Sequence, residues 1–496
     1  MSRSLRPVPN EMVPHAGPET FDANARDALE DKQLRGALRN ATVLFAQRRV
    51  SAVASAPDWE GLRTRARAIK DDTLLHLDRY LEQFAANAER AGVQVHWARD
   101  AEEACAVIAG IAEAEGARHL VKSKSMATEE IHLNAALARR GLEPVETDLG
   151  EWIIQLAGET PSHIVAPAIH KTKGQISELF VEKLGIAPSD DVGALTAAAR
   201  VTLRDRFAEA DLGISGVNFG VAETGTIVIF ENEGNARLTT SIPRTHVALM
   251  GIEKLVPAFG DLEVFFQLLA RSGTGQQLTT YQSILTGPAR SDDAEGPRAM
   301  HIVLLDNGRS RMLAHPVTRQ SLACIRCGAC LNACPVYQQI GGHAYGSVYP
   351  GPIGIVLTPQ LAGLAGTSQL PYASSLCGAC REVCPVKIDI PALLLHLRAE
   401  VVSEEQGKSR RMERLTFRLY TAAMLRPRLV AFATGVARTM QTLAGEGALA
   451  KPLGALAAKL VPPLGAWTSS RDLRPLAERS FREIWADEES AARDEP

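Results

Sequence analysis

Residues 321–335 read SLACIRCGACLNACP and place Cys324, Cys327, Cys330 and Cys334 at the spacing C-x2-C-x2-C-x3-C-P. This spacing is typical of the ligand run for a 4Fe-4S cluster in bacterial ferredoxins. Two residues between thiolates let a tight loop reach three corners of one cluster, while the next turn carries the fourth cysteine away. In modules with two clusters, that fourth thiolate binds the other cluster. The stretch therefore predicts a second cysteine run.

The second run lies at residues 376–385, LCGACREVCP, with the spacing C-x2-C-x3-C-P. It is one cysteine short, because Ser374 stands where the first ligand would fall. The proline after each run cannot continue a helix and turns the chain off the cluster. If the last cysteine of each run crosses over, the two predicted clusters have four and three thiolates. The predicted ligands are Cys324, Cys327, Cys330 and Cys384 for the first cluster, and Cys334, Cys377 and Cys380 for the second.

Zinc and disulfide bonds are the alternatives to iron. Zinc favours two separated pairs that total four ligands, which the four-then-three pattern does not match. Disulfides are disfavoured because the chain has only one further cysteine, Cys105. Cys105 shares an apolar helical stripe with Ile108 and Ile111, which predicts a core thiol.

Length and composition limit the class of protein. At 496 residues the chain predicts about three or four domains. Its 54 Lys and Arg residues are balanced by 57 Asp and Glu residues, which disfavours general nucleic-acid binding. The start, MSRSLRPVPNEM, lacks the apolar segment of a signal peptide, and no apolar stretch is long enough to cross a bilayer. A cytoplasmic protein is therefore predicted.

Strands alternate with helices over much of the chain, which predicts a parallel α/β sheet flanked by helices. Predicted helices occupy residues 72–92, 100–116 and 128–141. Residues 271–298, rich in Gly, Ser and Asp, predict an irregular surface excursion. The predicted strands, with their adjoining loop residues, are 93–98, 118–125, 143–149, 162–167, 225–231, 245–252 and 301–307.

Four domains follow from these patterns: a helical arm (1–57), an α/β domain (58–310), a two-cluster ferredoxin-type and mainly helical module (311–395), and a helical C-terminal domain with its tail (396–496). Basic residues outnumber acidic ones at 398–428. This excess predicts a solvated helix face, with docking on a partner or an anionic membrane surface as the alternative. The tail from Trp467 predicts a strap across another domain.

Three stretches are candidate ligand loops, because open α/β sheets bind ligands at the carboxyl ends of their strands. They are KSKSMATEE with Lys122 and Lys124, PAIHKTKGQ at 167–175, and GVAETGT with Glu223 and Thr224. Such lysines can hold a carboxylate or phosphate, and a buried glutamate can act as acid or base; ordinary surface lysines are the alternative. Nicotinamide and P-loop nucleotides are disfavoured, since GISGVNFG has the wrong glycine spacing for either.

Several stretches together resemble the lactate utilization protein B family of bacterial iron-sulfur proteins. They include KSKSMATEEIHLN, GVAETGTIVIFENEGNARLTTSIPRTHVALMGIEK and CIRCGACLNACPVYQQIGGHAYGSVYPGPIG, and the likeness extends to WTSSRDLRP in the tail. The resemblance implies a lactate-utilization domain similar to the ribose-phosphate isomerase and CoA-transferase-like class. It also implies a module with two 4Fe-4S clusters, and all seven cluster cysteines match the family pattern, including the three-cysteine second site.

Two functions are predicted from the residues and the resemblance. The first is an electron-transfer subunit of a cytoplasmic complex that oxidises L-lactate to pyruvate together with two other proteins of the same system. The alternative is a catalytic α/β subunit that itself binds a 2-hydroxy acid and passes electrons to its own clusters.

Overall fold

The computed structural model describes residues 17–293, 295–404, 411–444 and 476–493. The chain divides into two compact units, Met1–Ser403 and Glu404–Pro496. All strands of the described residues belong to the first unit. They are β1 (Gln94–Ala98), β2 (Leu120–Lys122), β3 (Pro144–Glu146), β4 (Leu212–Gly216), β5 (Phe219–Val221), β6 (Thr226–Glu231), β7 (Thr245–Gly251), β8 (Leu255–Val256), β9 (Tyr281–Leu285) and β10 (Ala299–Leu305).

Six strands form a parallel sheet in the order β1-β10-β7-β4-β2-β3. Every residue of β7 is buried, as expected for a central strand covered by helices on both faces. Alternate side chains enter different apolar clusters: Leu249 packs with Ile108 on one face, and Met250 packs with Phe84 on the other. The predicted parallel α/β sheet is thus confirmed.

The central strand β4 was not predicted from the sequence. Gly213 and Gly216 interrupt the apolar pattern by which a strand is predicted. Both glycines are required because other parts of the chain pack closely against them. A Cβ atom on Gly213 would lie 1.9 Å from the carbonyl oxygen of Thr239, and one on Gly216 would lie 2.5 Å from Ser125 Oγ. Glycine inside a strand marks such close approaches.

A second sheet has four strands in the order β8-β5-β6-β9. The predicted strand at 225–231 is β6, which pairs antiparallel with β5 and β9, so its expected place in the parallel sheet is wrong. The physical reason is the short turn before it, where Gly225 has φ +70° and lets the chain reverse. The predicted surface excursion at 271–298 is wrong in part, because it contains β9.

Residues 162–167 form turns and bends, so the strand predicted there is wrong. The Nδ1 atom of His163 accepts hydrogen bonds from the backbone N–H groups of Val165 (3.0 Å) and Ala166 (3.1 Å). The backbone N–H of Ser162 bonds the carbonyl of Pro167 at 3.0 Å. These local bonds satisfy backbone groups that a strand would offer to a neighbour.

Helices account for the rest of the regular structure in the first unit, and two of the predicted ones are interrupted. The helix predicted at 72–92 is divided at His76, and that predicted at 128–141 is divided at His132, which has φ +50°. The helices are α1 (Phe21–Glu30), α2 (Lys32–Ala54), α3 (Trp59–Leu75), α4 (Leu77–Arg90), α5 (Ala101–Ala114), α6 (Met126–Glu130), α7 (Leu133–Ala138), α8 (Leu149–Ala157), α9 (Lys173–Leu184), α10 (Val192–Ala208), α11 (Asn235–Ser241), α12 (Leu262–Gly273), α13 (Arg309–Ala314), α14 (Ala329–Asn332), α15 (Tyr337–Ile340), α16 (Gly351–Ala362), α17 (Ala379–Val383) and α18 (Ile390–Glu404).

The cysteine-bearing segment shares one apolar core with distant parts of the first unit. Leu38 of α2, Phe219 of β5 and Phe265 of α12 are buried in the same cluster as Tyr337 and Leu393. The predicted limits of the arm, the α/β domain and the module stay predictions, since this core crosses all three.

The second unit is helical where it is described, with α19 (Arg411–Met424), α20 (Pro427–Ala444) and α21 (Phe481–Arg493). Arg438 pairs with Glu483 at 3.2 Å. Trp467, where the predicted strap begins, lies outside the described residues. Within the described ranges, no helix has the length and apolar character needed to cross a membrane.

Candidate iron-sulfur site

The two cysteine loops have the same backbone shape. Gly328 (φ +76°) and Gly378 (φ +85°) start the short helices α14 and α17. Each is preceded two residues earlier by a left-handed non-glycine residue, Arg326 (φ +59°) and Leu376 (φ +57°). Non-glycine residues seldom adopt this conformation, so its occurrence at equivalent places indicates that the two loops share one backbone conformation.

The equivalence places Ser374 where the first loop has Cys324, as the spacing predicted. In the first loop, the backbone N–H of Arg326 donates to Cys324 Sγ at 3.4 Å. In the second, the backbone N–H of Leu376 donates to Ser374 Oγ at 3.1 Å. The serine hydroxyl therefore makes the contact that the cysteine sulfur makes in the other loop.

Four of the predicted ligands line one cavity of about 360 Å³, a volume that includes space open to solvent. Cys384 reaches this cavity from the second run, 60 residues after Cys324 in the chain. The other lining residues are mostly apolar: Ile325, Ile353, Pro385, Val386, Ile388 and Ile390, with Arg326 as the charged member. The four predicted first-cluster cysteines are thus brought together.

Electrostatic interactions separate the thiols into the same two sets. Burial raises the pKa of Cys330 well above its usual value, and Cys324, Cys327 and Cys384 raise it further. Burial also raises the pKa of Cys384 to about 11, again with Cys324 contributing. Each of these thiols therefore lies close enough to the others for their negative charges to repel.

The other three predicted ligands form the second set. Burial raises the pKa of Cys334, with a smaller contribution from Cys377. Burial together with Cys334 and Cys377 raises the pKa of Cys380 to about 12. Cys334 and Cys380 are buried, whereas Cys377 is exposed. The second set is therefore accessible to solvent at Cys377.

The donor chemistry of both sets fits iron-sulfur groups. All eight cysteines are free thiols, so none of these side chains is used in a disulfide. Buried thiols that raise one another's pKa become stable thiolates only beside a positive charge, which a bound metal group supplies. Backbone N–H groups also point at the sulfurs: Tyr337 donates to Cys334 Sγ at 3.5 Å and Ile388 donates to Cys384 Sγ at 3.4 Å.

Lys122, a candidate ligand residue, ends β2 and is held by protein carboxylates. Its ammonium lies 2.8 Å from Glu129 and 2.6 Å from Glu146, and its side chain is 1% exposed. Burial alone would lower the pKa of Lys122, but the two glutamates raise it above its usual value. This charge is already neutralised, so Lys122 is not free to bind a substrate carboxylate.

Lys124 points elsewhere, with its ammonium bonded to the carbonyl oxygen of Ile164. Asp148 and Glu151 lie close enough for Lys124 to lower their pKa values, although burial raises both pKa values overall. Glu151 is buried, and its Oε1 has no hydrogen-bond partner among the described residues. Lys124 therefore lies near two buried carboxyl groups.

Glu223 and Thr224 lie in the turn between β5 and β6 of the second sheet. Asn87, near the end of α4, donates to the carbonyl of Glu223 at 2.8 Å, and α4 leads directly into the amino end of β1. The Glu223 carboxylate accepts the backbone N–H of Phe259 at 2.8 Å, and Thr224 donates to Thr226 at 2.8 Å. Glu223 thus contacts α4 and Phe259, whereas Lys122 pairs with Glu129 and Glu146 at the end of β2.

Sequence reasoning missed a group of charged residues beside Cys324. Arg326 lies inside the first C-x2-C loop, and its side chain is 8% exposed. It belongs to a closed set of contacts, the charged ring, which consists of Arg326, Glu253, Arg309, Glu130 and Tyr349. The sequence feature that could have indicated this group is Arg326 itself, which lies between two predicted cluster ligands where the second loop has Leu376.

Three protein families match successive parts of the chain. The LUD domain family matches residues 81–305, the 4Fe-4S dicluster domain family matches 320–388, and the family described as lactate utilisation protein B, C-terminal, matches 396–490. The first match covers the parallel sheet from α4 to β10, and the second covers both cysteine loops.

Full-length relatives are also similar. Lactate utilization protein B of Bacillus pumilus is 44% identical over 94% of this chain and 97% of its own length. Its namesake in Bacillus licheniformis is 42% identical over 96% of this chain and 98% of its own. A DUF162 family protein from Deinococcus radiodurans, known from a crystal structure, has 14% identity and a TM-score of 0.27, and covers 46% of this chain and 98% of that one; a score this low does not bear on the fold. On the full-length identities, the chain belongs to the lactate utilization protein B family.

Proposed function

We propose that this chain is the iron-sulfur electron-transfer subunit of a complex that oxidises L-lactate to pyruvate. The observation that carries the proposal is the separation of seven free thiols into a set of four that lines one cavity and a set of three in which Cys377 is exposed. Membership in the lactate utilization protein B family supports the choice of lactate.

The two sets would hold two 4Fe-4S clusters, which supply one-electron transfer when bound. Cys324, Cys327, Cys330 and Cys384 would hold the first cluster in this mostly apolar cavity. Cys334, Cys377 and Cys380 would hold the second through three thiolates. Since Cys377 is exposed, the second set is the one that a redox partner can approach closely.

The chain would act with two other proteins of the lactate-utilization system. Its own described residues include no free cationic pocket at the candidate loops, because Lys122 is neutralised by Glu129 and Glu146. Lactate binding is therefore assigned to a partner. We assign the complex to the cytoplasm, where cluster thiols stay reduced.

Anaerobic copurification tests this proposal. The tagged chain, produced in its own bacterium during growth on lactate, is isolated with its bound proteins, and lactate-dependent dye reduction is measured for the complex and for the chain alone. We expect reduction by the complex and none by the chain alone. Cys330→Ala should abolish it, whereas the matched control Cys105→Ala should retain it, since Cys105 lies outside both sets.

Two results would change the assignment. Lactate oxidation by the purified single chain, free of other proteins, would make it the catalytic α/β subunit that binds a 2-hydroxy acid itself. If the complex contained both clusters but took no electrons from lactate, the electron-transfer role would stand, but lactate would not be the substrate.

A further inference from the structure

Among the described residues that line the cavity of the first cysteine set, Arg326 is the only cation. It follows Cys324 by two residues, and its backbone N–H donates to Cys324 Sγ at 3.4 Å. Its guanidinium donates to the Cys324 carbonyl at 3.3 Å and lies 5.0 Å from the centroid of the Tyr349 ring. A buried cation in this position needs a fixed partner, which Glu253 provides.

The charged ring joins Arg326 to the parallel sheet. Arg326 Nη2 lies 3.4 Å from Glu253 Oε1, and Glu253 Oε2 lies 2.6 Å from Arg309 Nε. Arg309 binds both oxygens of Glu130 at 2.8 Å, and the hydroxyl of Tyr349 donates to Glu130 at 2.6 Å. Burial would raise the pKa of Glu253, but Arg309 and Arg326 hold it at about 2, so both ends of this ion pair are charged.

The ring residues of the α/β part come from the carboxyl edge of the sheet. Glu253 follows β7, Arg309 follows β10, and Glu130 ends α6, which follows β2. A Cβ atom on Gly251, at the end of β7, would lie 2.3 Å from the Glu253 carboxylate, so only glycine leaves room for the pair. This is the edge at which open α/β sheets bind their ligands. In this chain it meets the first cysteine loop.

The second cysteine loop provides an internal comparison. Leu376 has the same left-handed backbone as Arg326 and makes the equivalent N–H contact, to Ser374. It brings no charge. The two loops thus differ by one buried cation at the same place relative to their sulfurs.

We propose that Arg326, held by Glu253, is a positioning residue that raises the reduction potential of the cluster bound by Cys324, Cys327, Cys330 and Cys384. The inference rests on the proposed function, because it requires that cluster. Reduction adds one negative charge beside the guanidinium, and a buried positive charge stabilises the reduced form. Cluster potentials depend on such nearby charges and on hydrogen bonds to the sulfurs.

The test is a redox titration of the full chain, followed by the paramagnetic signal of each cluster. Arg326→Leu copies the second loop and should make reduction of the first cluster about tenfold less favourable, a shift of about 59 mV to lower potential for one electron. Arg326→Lys, which keeps the charge, should stay near the wild type. Arg319→Leu, at an exposed arginine outside the cavity lining, is the matched control and should leave both potentials unchanged.

Glu253→Gln distinguishes an effect of charge on the potential from an effect of a loosened loop. It removes the negative partner of Arg326 and should raise the potential of the first cluster, the opposite direction to Arg326→Leu, whereas general loosening of the loop would move both variants alike. Equal potentials in the wild type and Arg326→Leu, or shifts of the same sign in both variants, would overturn the inference. Absence of iron and sulfide from the wild-type protein would instead overturn the proposed function.

Discussion

At the scale of single residues, the two cysteine loops combine one backbone with different side chains. Cys324 and Arg326 in the first loop correspond to Ser374 and Leu376 in the second. The first loop therefore offers an additional sulfur and a buried cation, and the second offers a hydroxyl and an apolar side chain. These exchanges predict that the two clusters differ in stability and in potential.

Mild oxidation should convert the second cluster, and not the first, to a 3Fe-4S form with a near-isotropic paramagnetic signal. An iron without a thiolate is the one that leaves, because the serine hydroxyl is far less acidic than a thiol and ligates iron poorly. Ser374→Cys should suppress the conversion, since Ser374 Oγ already makes the contact of a ligand sulfur. Ser374→Ala should change little, and ferrous iron with reductant should restore the cluster.

Serine ligation would give the opposite pattern. The wild-type protein would then keep two intact clusters through oxidation, and Ser374→Ala would lose one of them.

The crossing of ligands between the runs has its own spectroscopic test. Cys384→Ala should disturb the same paramagnetic signal as Cys327→Ala, because both side chains line the first cavity. Cys334→Ala should disturb the signal lost in Cys380→Ala, since Cys334 raises the pKa of Cys380. If Cys334 grouped with Cys327, the assignment of both sets would be wrong.

At the scale of elements, β2 and β3 are joined by a buried charge pair as well as by backbone bonds. Lys122 and Glu146 are partners in the register of these two strands, and their side chains are 1% and 3% exposed. Glu129 of α6 completes the set. Such a pair specifies which strands are neighbours, because removing one member leaves a buried charge without compensation.

Lys122→Met should lower the free energy of unfolding by about 3–5 kcal/mol, the usual cost of an uncompensated buried charge. Glu146→Gln should cost less, since Lys122 keeps Glu129. Lys173→Met is the control: its pair with Asp190 is exposed, so the change should stay within about 0.5 kcal/mol. Anaerobic urea unfolding measures all three. If Lys122→Met left the free energy of unfolding unchanged, the carboxyl groups of Glu129 and Glu146 would be protonated and not ion-paired with Lys122.

At the scale of the whole molecule, the first unit combines a parallel sheet, a small antiparallel sheet and the cysteine segment around a shared core. The charged ring and the shared apolar core both join residues more than a hundred positions apart. We therefore expect the cysteine segment to depend on the α/β part for its shape, and the bound clusters to stabilise the whole unit.

Anaerobically purified protein should be brown and should contain iron and acid-labile sulfide in near-equal amounts, with zinc far below either. The reason is the thiol arrangement, four and three, which fits clusters rather than tetrahedral zinc. Elemental analysis and a sulfide assay measure the three quantities. Stoichiometric zinc in protein that never lost iron would contradict the prediction.

Local patterns in the sequence were sufficient for five of the six strands of the parallel sheet, all except β4. Strand and helix periods, and the spacing of thiols around a tight loop, depend on neighbours within a few residues. That is why β7 and β10 could be predicted, and why the spacing of the cysteines indicated a tight loop. The second sheet was not, because its pairing depends on a turn at Gly225 and on a strand, β9, hidden in a polar stretch.

What only the tertiary structure decided is which charges meet. Lys122 and Glu223 looked alike as candidate ligand residues, but folding buries Lys122 between two glutamates and places Glu223 in a turn of the second sheet, beside α4. Arg326 and Glu253 are 73 residues apart in the chain and form a pair only because β7 ends at the first cysteine loop. The sequence by itself determined the thiols and their spacing, since these act through local chain geometry; the charges around them depend on distances that folding alone sets, because Coulomb interactions and desolvation act through space.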